Sequence, residues 1–134
     1  MLRDVYSGYL NLNGKEDSYT LHAANNYVTS LIGLERFEEA KTLLRKMVPV
    51  ARRVLGESNT LTLKMRWVYA RALYKDDGAT LDDLREAATT LEETERIARR
   101  VMGGLHPTTT GIENALRVAR AVLRARETPP PGNA

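Results

Sequence analysis

The sequence predicts an all-α fold, a stack of antiparallel helical hairpins, and two observations carry that expectation. The first is a repeated phrase: Val50-Ala51-Arg52-Arg53-Val54-Leu55-Gly56 returns 47 residues later as Ile97-Ala98-Arg99-Arg100-Val101-Met102-Gly103. The second is a loop signature, a glycine followed six residues on by a threonine. It occurs at Gly14/Thr20, Gly56/Thr62 and Gly103/Thr109, with spacings of 42 and 47 residues. Periods of this length mark stacked helical hairpins, because each unit buries its apolar face only against its neighbours. A chain of 134 residues, 43% of them hydrophobic, has room for one such domain and not for a second.

Each element follows from periodicity and end signals. Sliding the repeat frame back by 42 residues sets Gly14 under Gly56, so residues 3 to 13 form the last part of a hairpin, helix α1, with an apolar stripe of Val5, Tyr6, Tyr9 and Leu10. Helix α2, 17 to 34, carries Leu21, Ala24, Tyr27, Val28, Leu31 and Ile32 at three- and four-residue intervals. Helix α3, 36 to 55, continues the pattern through Phe37, Ala40, Leu43, Leu44, Met47, Val48, Ala51 and Val54. The short break between α2 and α3 forces an antiparallel hairpin, and Gly56 supplies the positive φ that commonly ends a helix. Pro49 lies inside α3, where the missing N–H predicts a kink or local unwinding near Arg45 to Met47. Helix α4 runs from Ser58 or Asn59 to Lys75 and α5 from Leu81 to Met102, with Thr80 and Asp83 spaced as a capping box. The five-residue excess of the second period falls in the loop around Asp76-Asp77-Gly78-Ala79. Helix α6 starts after His106-Pro107 and continues through Ile112, Ala115, Leu116, Ala119, Val122 and Leu123 to about Arg126. The domain 1–127 thus divides into a half-repeat 1–13, repeats 14–55 and 56–102, and a terminal helix unit 103–127. The Pro-rich residues 128–134 are expected to be an extended, flexible tail.

Composition narrows the chemistry. The absence of cysteine excludes disulfides, thiolate catalysis and thiolate-bound metals. Twenty basic and seventeen acidic residues, net +3, are too evenly balanced to point to nucleic acid from bulk charge. The N-terminus lacks the apolar run of a signal peptide, and no stretch approaches spanning length, so a soluble, cytoplasmic chain without membrane insertion is expected. His22 and His106 are the only histidines, and Asp76, Asp77, Asp82 and Asp83 do not follow the ligand spacing of a calcium loop. No catalytic, metal or cofactor site is expected, and the chain reads as non-enzymatic.

Several segments resemble a known family. Ala24-Asn25-Asn26-Tyr27-Val28, Leu34-Glu35-Arg36-Phe37-Glu38-Glu39-Ala40 and Arg52-Arg53-Val54-Leu55-Gly56 are similar to tetratricopeptide repeats of the kinesin light chain type, and Gly103-Gly104-Leu105-His106-Pro107-Thr108-Thr109 matches that group's loop. The resemblance covers residues 14 to 123. Asn59-Thr60 stands where the loop has His-Pro, Trp67-Val68 stands where the paired Asn belongs, and α5 opens with Leu84-Arg85-Glu86-Ala87. The resemblance implies a right-handed superhelical α-solenoid of five or six helices in which the first helix of each hairpin lines the concave side.

That assignment places Lys64, Trp67, Arg71, Tyr74 and Lys75 of α4 on one groove face, with His22, Asn25, Asn26 and Thr29 of α2 beside them. Three cations, two aromatics and no acid on this face of α4 suit an acidic peptide or a free C-terminal carboxylate. Asn binds peptide amides, cations pair with carboxylates, and Trp67 buries an apolar anchor. The alternative is that Trp67 is core and the cations are simply solvated.

The ends of the array differ. Arg117, Arg120 and Arg124 put charge on α6 where the repeat frame has Ala70 and Leu73, as expected of a capping helix; an acidic partner is the alternative. At the other end Val5, Tyr6, Tyr9 and Leu10 form a candidate association surface, with self-association as the hypothesis. The expected function is a protein–protein interaction module that binds an acidic or carboxylate-terminated segment. A structural subunit of a larger assembly is the alternative, and RNA binding through the arginines is a third.

Overall fold

The computed structural model describes residues 1 to 128. Among these there are six α-helices and no strand: α1 Leu2–Asn13, α2 Ser18–Gly33, α3 Phe37–Val54, α4 Thr60–Tyr74, α5 Leu81–Met102 and α6 Pro107–Glu127. Of the expected tail only Thr128, which closes α6, belongs to the described residues; 129–134 lie outside them.

The repeat is visible in backbone geometry. Gly14, Gly56 and Gly103 all have positive φ, 84°, 94° and 87°, a conformation that strains any residue with a Cβ. Three residues further on stand Asp17, Asn59 and His106, N-caps of α2, α4 and α6, with φ of −72°, −68° and −66° and ψ of 137°, 136° and 137°. Their side chains differ, yet each accepts a hydrogen bond from the backbone N–H two residues on: Asp17 Oδ2 from Tyr19 at 2.9 Å, Asn59 Oδ1 from Leu61 at 2.9 Å and His106 Nδ1 from Thr108 at 3.1 Å. His106 is therefore a cap, followed by Pro107 at the first helical position, where its missing N–H costs nothing. Thr20, Thr62 and Thr109 are all fully buried, and the Thr62 hydroxyl donates to the carbonyl of Ala51 in the preceding helix at 3.3 Å. The same loop is built three times.

Consecutive helices pack on one another, and α2, α4 and α6 also touch in sequence, whereas α1, α3 and α5 do not. The even helices thus form one contiguous layer, with the odd helices set apart on the other. Between the layers lies a single core that includes Leu21, Leu31, Leu44, Leu63, Met65, Leu73, Leu84, Leu91 and Ile112, all buried. The alanine of the repeated phrase, Ala51 and Ala98, is fully buried at both copies while its arginines face water. Arg52 pairs with Glu57, Arg53 with Glu16 at 2.6 Å, and Arg99 with Glu95 at 2.8 Å and with Glu113. These are solvent-exposed pairs, screened by water, and they add little to stability.

Two local expectations are corrected. Helix α3 runs unbroken through Pro49. Pro49 is exposed, so the carbonyl deprived of a partner lies on the solvent side, where water replaces the lost bond. The five-residue excess of the second period is not confined to the loop. The α4–α5 loop spans 75–80 against 34–36 in the first hairpin, and α5 also begins three residues ahead of the position equivalent to Phe37. That extra turn is held by the expected capping box, Thr80 with Asp83. Finally, the acidic loop has a structural role: Asp76 Oδ2 lies 3.5 Å and Glu38 Oε1 2.6 Å from the ammonium of buried Lys41. Burial pulls the Lys41 pKa down, but the hydrogen bond from Glu38 and the charges of Glu38, Asp76 and Asp83 outweigh it and hold the group above its ordinary value.

A second polar contact locks α4 between its flanking helices. The Tyr69 hydroxyl donates to Glu86 Oε2 on α5 at 2.6 Å and accepts from Arg45 Nε on α3 at 3.3 Å. Burial, then the carboxylate, raise the Tyr69 pKa, with Arg45 opposing. Beside it, buried Arg66 donates to Glu93 Oε2 at 2.6 Å. Helix α5 therefore grips α4 with two carboxylates set seven residues apart.

Candidate functional site

The expected groove residues of α4 meet α6 rather than α2. Trp67, Arg71, Tyr74 and Lys75 face Gly111, Asn114, Ala115 and Val118 across an open cleft of about 420 Å³. The cleft exists because α4 and α6 are neighbours in the even layer and because Gly111 leaves α6 without a side chain where the indole of Trp67 rests. A Cβ on Gly111 would lie 2.4 Å from Trp67 Cη2 and 2.8 Å from Cζ2. Trp67 is consequently both core and lining: half-buried and packed against the core, with one side turned to the cleft. Its indole Nε1 is buried and has no hydrogen-bond acceptor, which leaves a donor unsatisfied at a cost of about 1–3 kcal/mol.

The charges around this indole are uncompensated. Arg71, half-buried, and Lys75, exposed, form no ion pair among the described residues, and no carboxylate lines the cleft. Tyr74 is buried at 9% exposure, so it walls the cleft instead of projecting into it as the groove stripe implied. Its burial raises the hydroxyl pKa, and the nearby Arg71 guanidinium pulls the other way. Lys64 is exposed and lies outside the cleft, on the N-terminal side of Trp67.

The α2 residues form no cleft with these. His22, Asn26 and Thr29 are exposed, and the Thr29 hydroxyl donates to the Asn25 carbonyl at 2.8 Å, one turn back on its own helix. Asn25 is half-buried and its Oδ1 is buried without a donor. Asn25 and Trp67 hold the same place in the repeat, 42 residues apart, so successive even helices each leave one polar atom unsatisfied at that place. The partner position on α6 is Asn114, whose Oδ1 accepts from Arg117 Nη1 at 3.1 Å. Gly111, Asn114, Ala115 and Val118 are the lining residues that the sequence reading omitted. A helix-interior glycine aligned with His22 and Lys64 was the available signal, since such a glycine often marks a close approach.

The N-terminal surface also divides. Tyr6 is buried: it stacks on Tyr27 with ring centroids 6.1 Å apart, and its hydroxyl lies 3.8 Å from Met47 Sδ. Leu10 packs against the core as well. These two are therefore withdrawn from the association surface. Val5 and Tyr9 stay accessible together with Leu2 and Leu12. In the repeat frame Leu2, Val5 and Tyr9 match Leu44, Met47 and Ala51, whose exposures are 0%, 3% and 0%.

No group of three or more His, Cys, Asp or Glu residues that could hold a metal occurs among the described residues, and none of the described helices is long and apolar enough to cross a membrane. Compared with known proteins, the chain matches no family model, no curated sequence and no solved structure.

Proposed function

We propose that the chain is a tetratricopeptide-type interaction module, non-enzymatic, whose α4–α6 cleft takes an acidic or carboxylate-terminated peptide segment of another protein. The observation that carries this reading is a cleft with two unpaired cations, Arg71 and Lys75, beside a tryptophan and an asparagine, with no acid in its lining. A carboxylate placed there gains charge-assisted hydrogen bonds from Arg71 and Lys75, and an apolar side chain next to it covers the exposed part of the indole. A volume of about 420 Å³ accommodates a few residues, which fits a terminal segment better than a folded surface.

Trp67 is the only tryptophan, so its emission reports occupancy directly. Titration with a short peptide ending in acidic residues and a free carboxylate is expected to change that emission saturably. Arg71→Glu is expected to weaken binding by about 10- to 100-fold, on the scale of breaking a charge-assisted contact, with the helical circular dichroism unchanged. Equal binding by wild type and Arg71→Glu sinks the reading. A second reading, self-association through α1, is favoured by the exposed Leu2, Val5, Tyr9 and Leu12. Sedimentation velocity is expected to show dimer growing with concentration if it holds, and a strict monomer at high concentration removes it.

A further inference from the structure

The cleft between α5 and α6, about 580 Å³, differs in chemistry from the α4–α6 cleft. It is lined by Arg96, Arg117, Arg120 and Arg124 above Leu116. Three glutamates share it, and each already has an arginine: Glu92 pairs with Arg120 at 3.3 Å, and Glu95 and Glu113 both pair with Arg99. Arg96 and Arg124 have no side-chain partner among the described residues, and Arg117 reaches only the neutral Asn114. The cleft therefore holds a surplus of positive charge on rigid helices.

The repeat frame says what such a cleft accommodates. Helix α4 is flanked by α3 and α5, whereas among the described residues α6 touches only α5 and α4, and Arg117, Arg120 and Arg124 on it are exposed. On α4 the equivalents of Arg117 and Arg120 are Ala70 and Leu73, both fully buried. The α5 helix adds to its apolar contacts two carboxylates seven residues apart, Glu86 on Tyr69 and Glu93 on Arg66. Arg117 and Arg124 are likewise seven apart, with Arg120 between them, two turns along one helix face.

We infer that this cleft docks an acidic α-helix of a partner protein, which lies along the exposed face of α6 and sets carboxylates against Arg117, Arg120 and Arg124. The helical spacing of the three arginines matches carboxylates at i, i+3 or i+4, and i+7 on the incoming helix. Leu116 supplies the apolar ground beneath it. The register of the three arginines, one helix face over two turns, matches a second helix rather than an RNA strand, which enters as a competing outcome of the test. None of these residues belongs to the α4–α6 cleft, so the two sites are tested apart.

The probe is a dye-labelled alanine-based helical peptide of about 20 residues, long enough for several turns, with glutamates at i, i+3 and i+7. Both termini are blocked, so it offers no free carboxylate to Arg71. Anisotropy at about 0.1 M salt is expected to show saturable binding below about 1 mM. The glutamine version of the peptide is expected to bind about tenfold more weakly or worse, and Arg117→Glu/Arg120→Glu/Arg124→Glu to lose a similar factor, with Arg71→Glu without effect. Should the triple reversal unfold, Arg117→Gln/Arg124→Gln, two exposed residues outside any ion pair, carries the comparison. Equal binding of the glutamine peptide, an equal loss in Arg71→Glu, or a single-stranded RNA that displaces the peptide at lower concentration than the peptide itself overturns the inference.

Discussion

Leu73→Arg abolishes cooperative folding, while the reciprocal exchange Arg120→Leu leaves helical content unchanged and the thermal midpoint unchanged or slightly raised. The two residues hold the same place in the repeat, 47 positions apart. Leu73 is fully buried in α4, with α3 on one flank and α5 on the other. An arginine there has no carboxylate to meet, and an unpaired buried charge costs several kcal/mol on top of the overpacking. Total stability for a domain of this size is about 5–15 kcal/mol, and a short repeat array sits low in that range. Arg120 is half-exposed, and its contact with Glu92 at 3.3 Å is worth at most about 1 kcal/mol. Circular dichroism melts of both variants check the pair. Similar loss in both would mean that α6 is packed on the face that carries Arg120, contrary to the helix arrangement described.

Gly111→Ala destabilises the protein by about 1–2 kcal/mol, although alanine in a helix interior is ordinarily about 1 kcal/mol better than glycine. The reversal comes from one contact. The added methyl falls within 2.4 Å of the Trp67 ring, which must leave its seat on α6 and give up buried area. In a Trp67→Ala background the same Gly111→Ala change is expected to become stabilising by about 1 kcal/mol, because only helix propensity remains. Urea unfolding of the four proteins of this double-mutant cycle gives both signs. If Gly111→Ala stabilises the wild type, Trp67 does not rest on α6.

Most of the fold was legible in the sequence because it is set by local signals that recur. The glycine, cap and threonine of each loop lie within six residues, so their spacing survives into structure: Gly14, Asp17 and Thr20 behave as Gly56, Asn59 and Thr62 do. Helix limits fell within a few residues for the same reason. The local unwinding expected at Pro49 did not arise because its effect depends on which side of the helix faces water, a tertiary matter. Tyr6 and Tyr9 illustrate the limit of periodicity. Both fit an apolar stripe, yet Tyr6 is buried against Tyr27 and Met47 while Tyr9 stays accessible, a difference that depends on tertiary packing.

The site was half legible. Type and spacing pointed to Trp67, Arg71 and Lys75, and these line one cleft. What pairs with them depends on which helices are adjacent across the layer, and α4 meets α6 as well as α2. Asn114 and Val118 therefore enter the lining, while His22, Asn26 and Thr29 stand elsewhere. Buried Lys41 and Arg66 escaped notice because a cation reads as surface until the carboxylates that satisfy it, Glu38, Asp76 and Glu93, are seen to converge.

The most direct test of peptide recognition at the α4–α6 cleft is the single indole N–H resonance of Trp67, followed by proton–nitrogen correlation spectra during titration with a peptide that ends in acidic residues. The account predicts that this resonance shifts saturably, together with backbone resonances of Arg71, Lys75 and Asn114, and that Arg71→Glu suppresses the shift. An indole resonance that stays fixed while the peptide binds elsewhere on the molecule contradicts it.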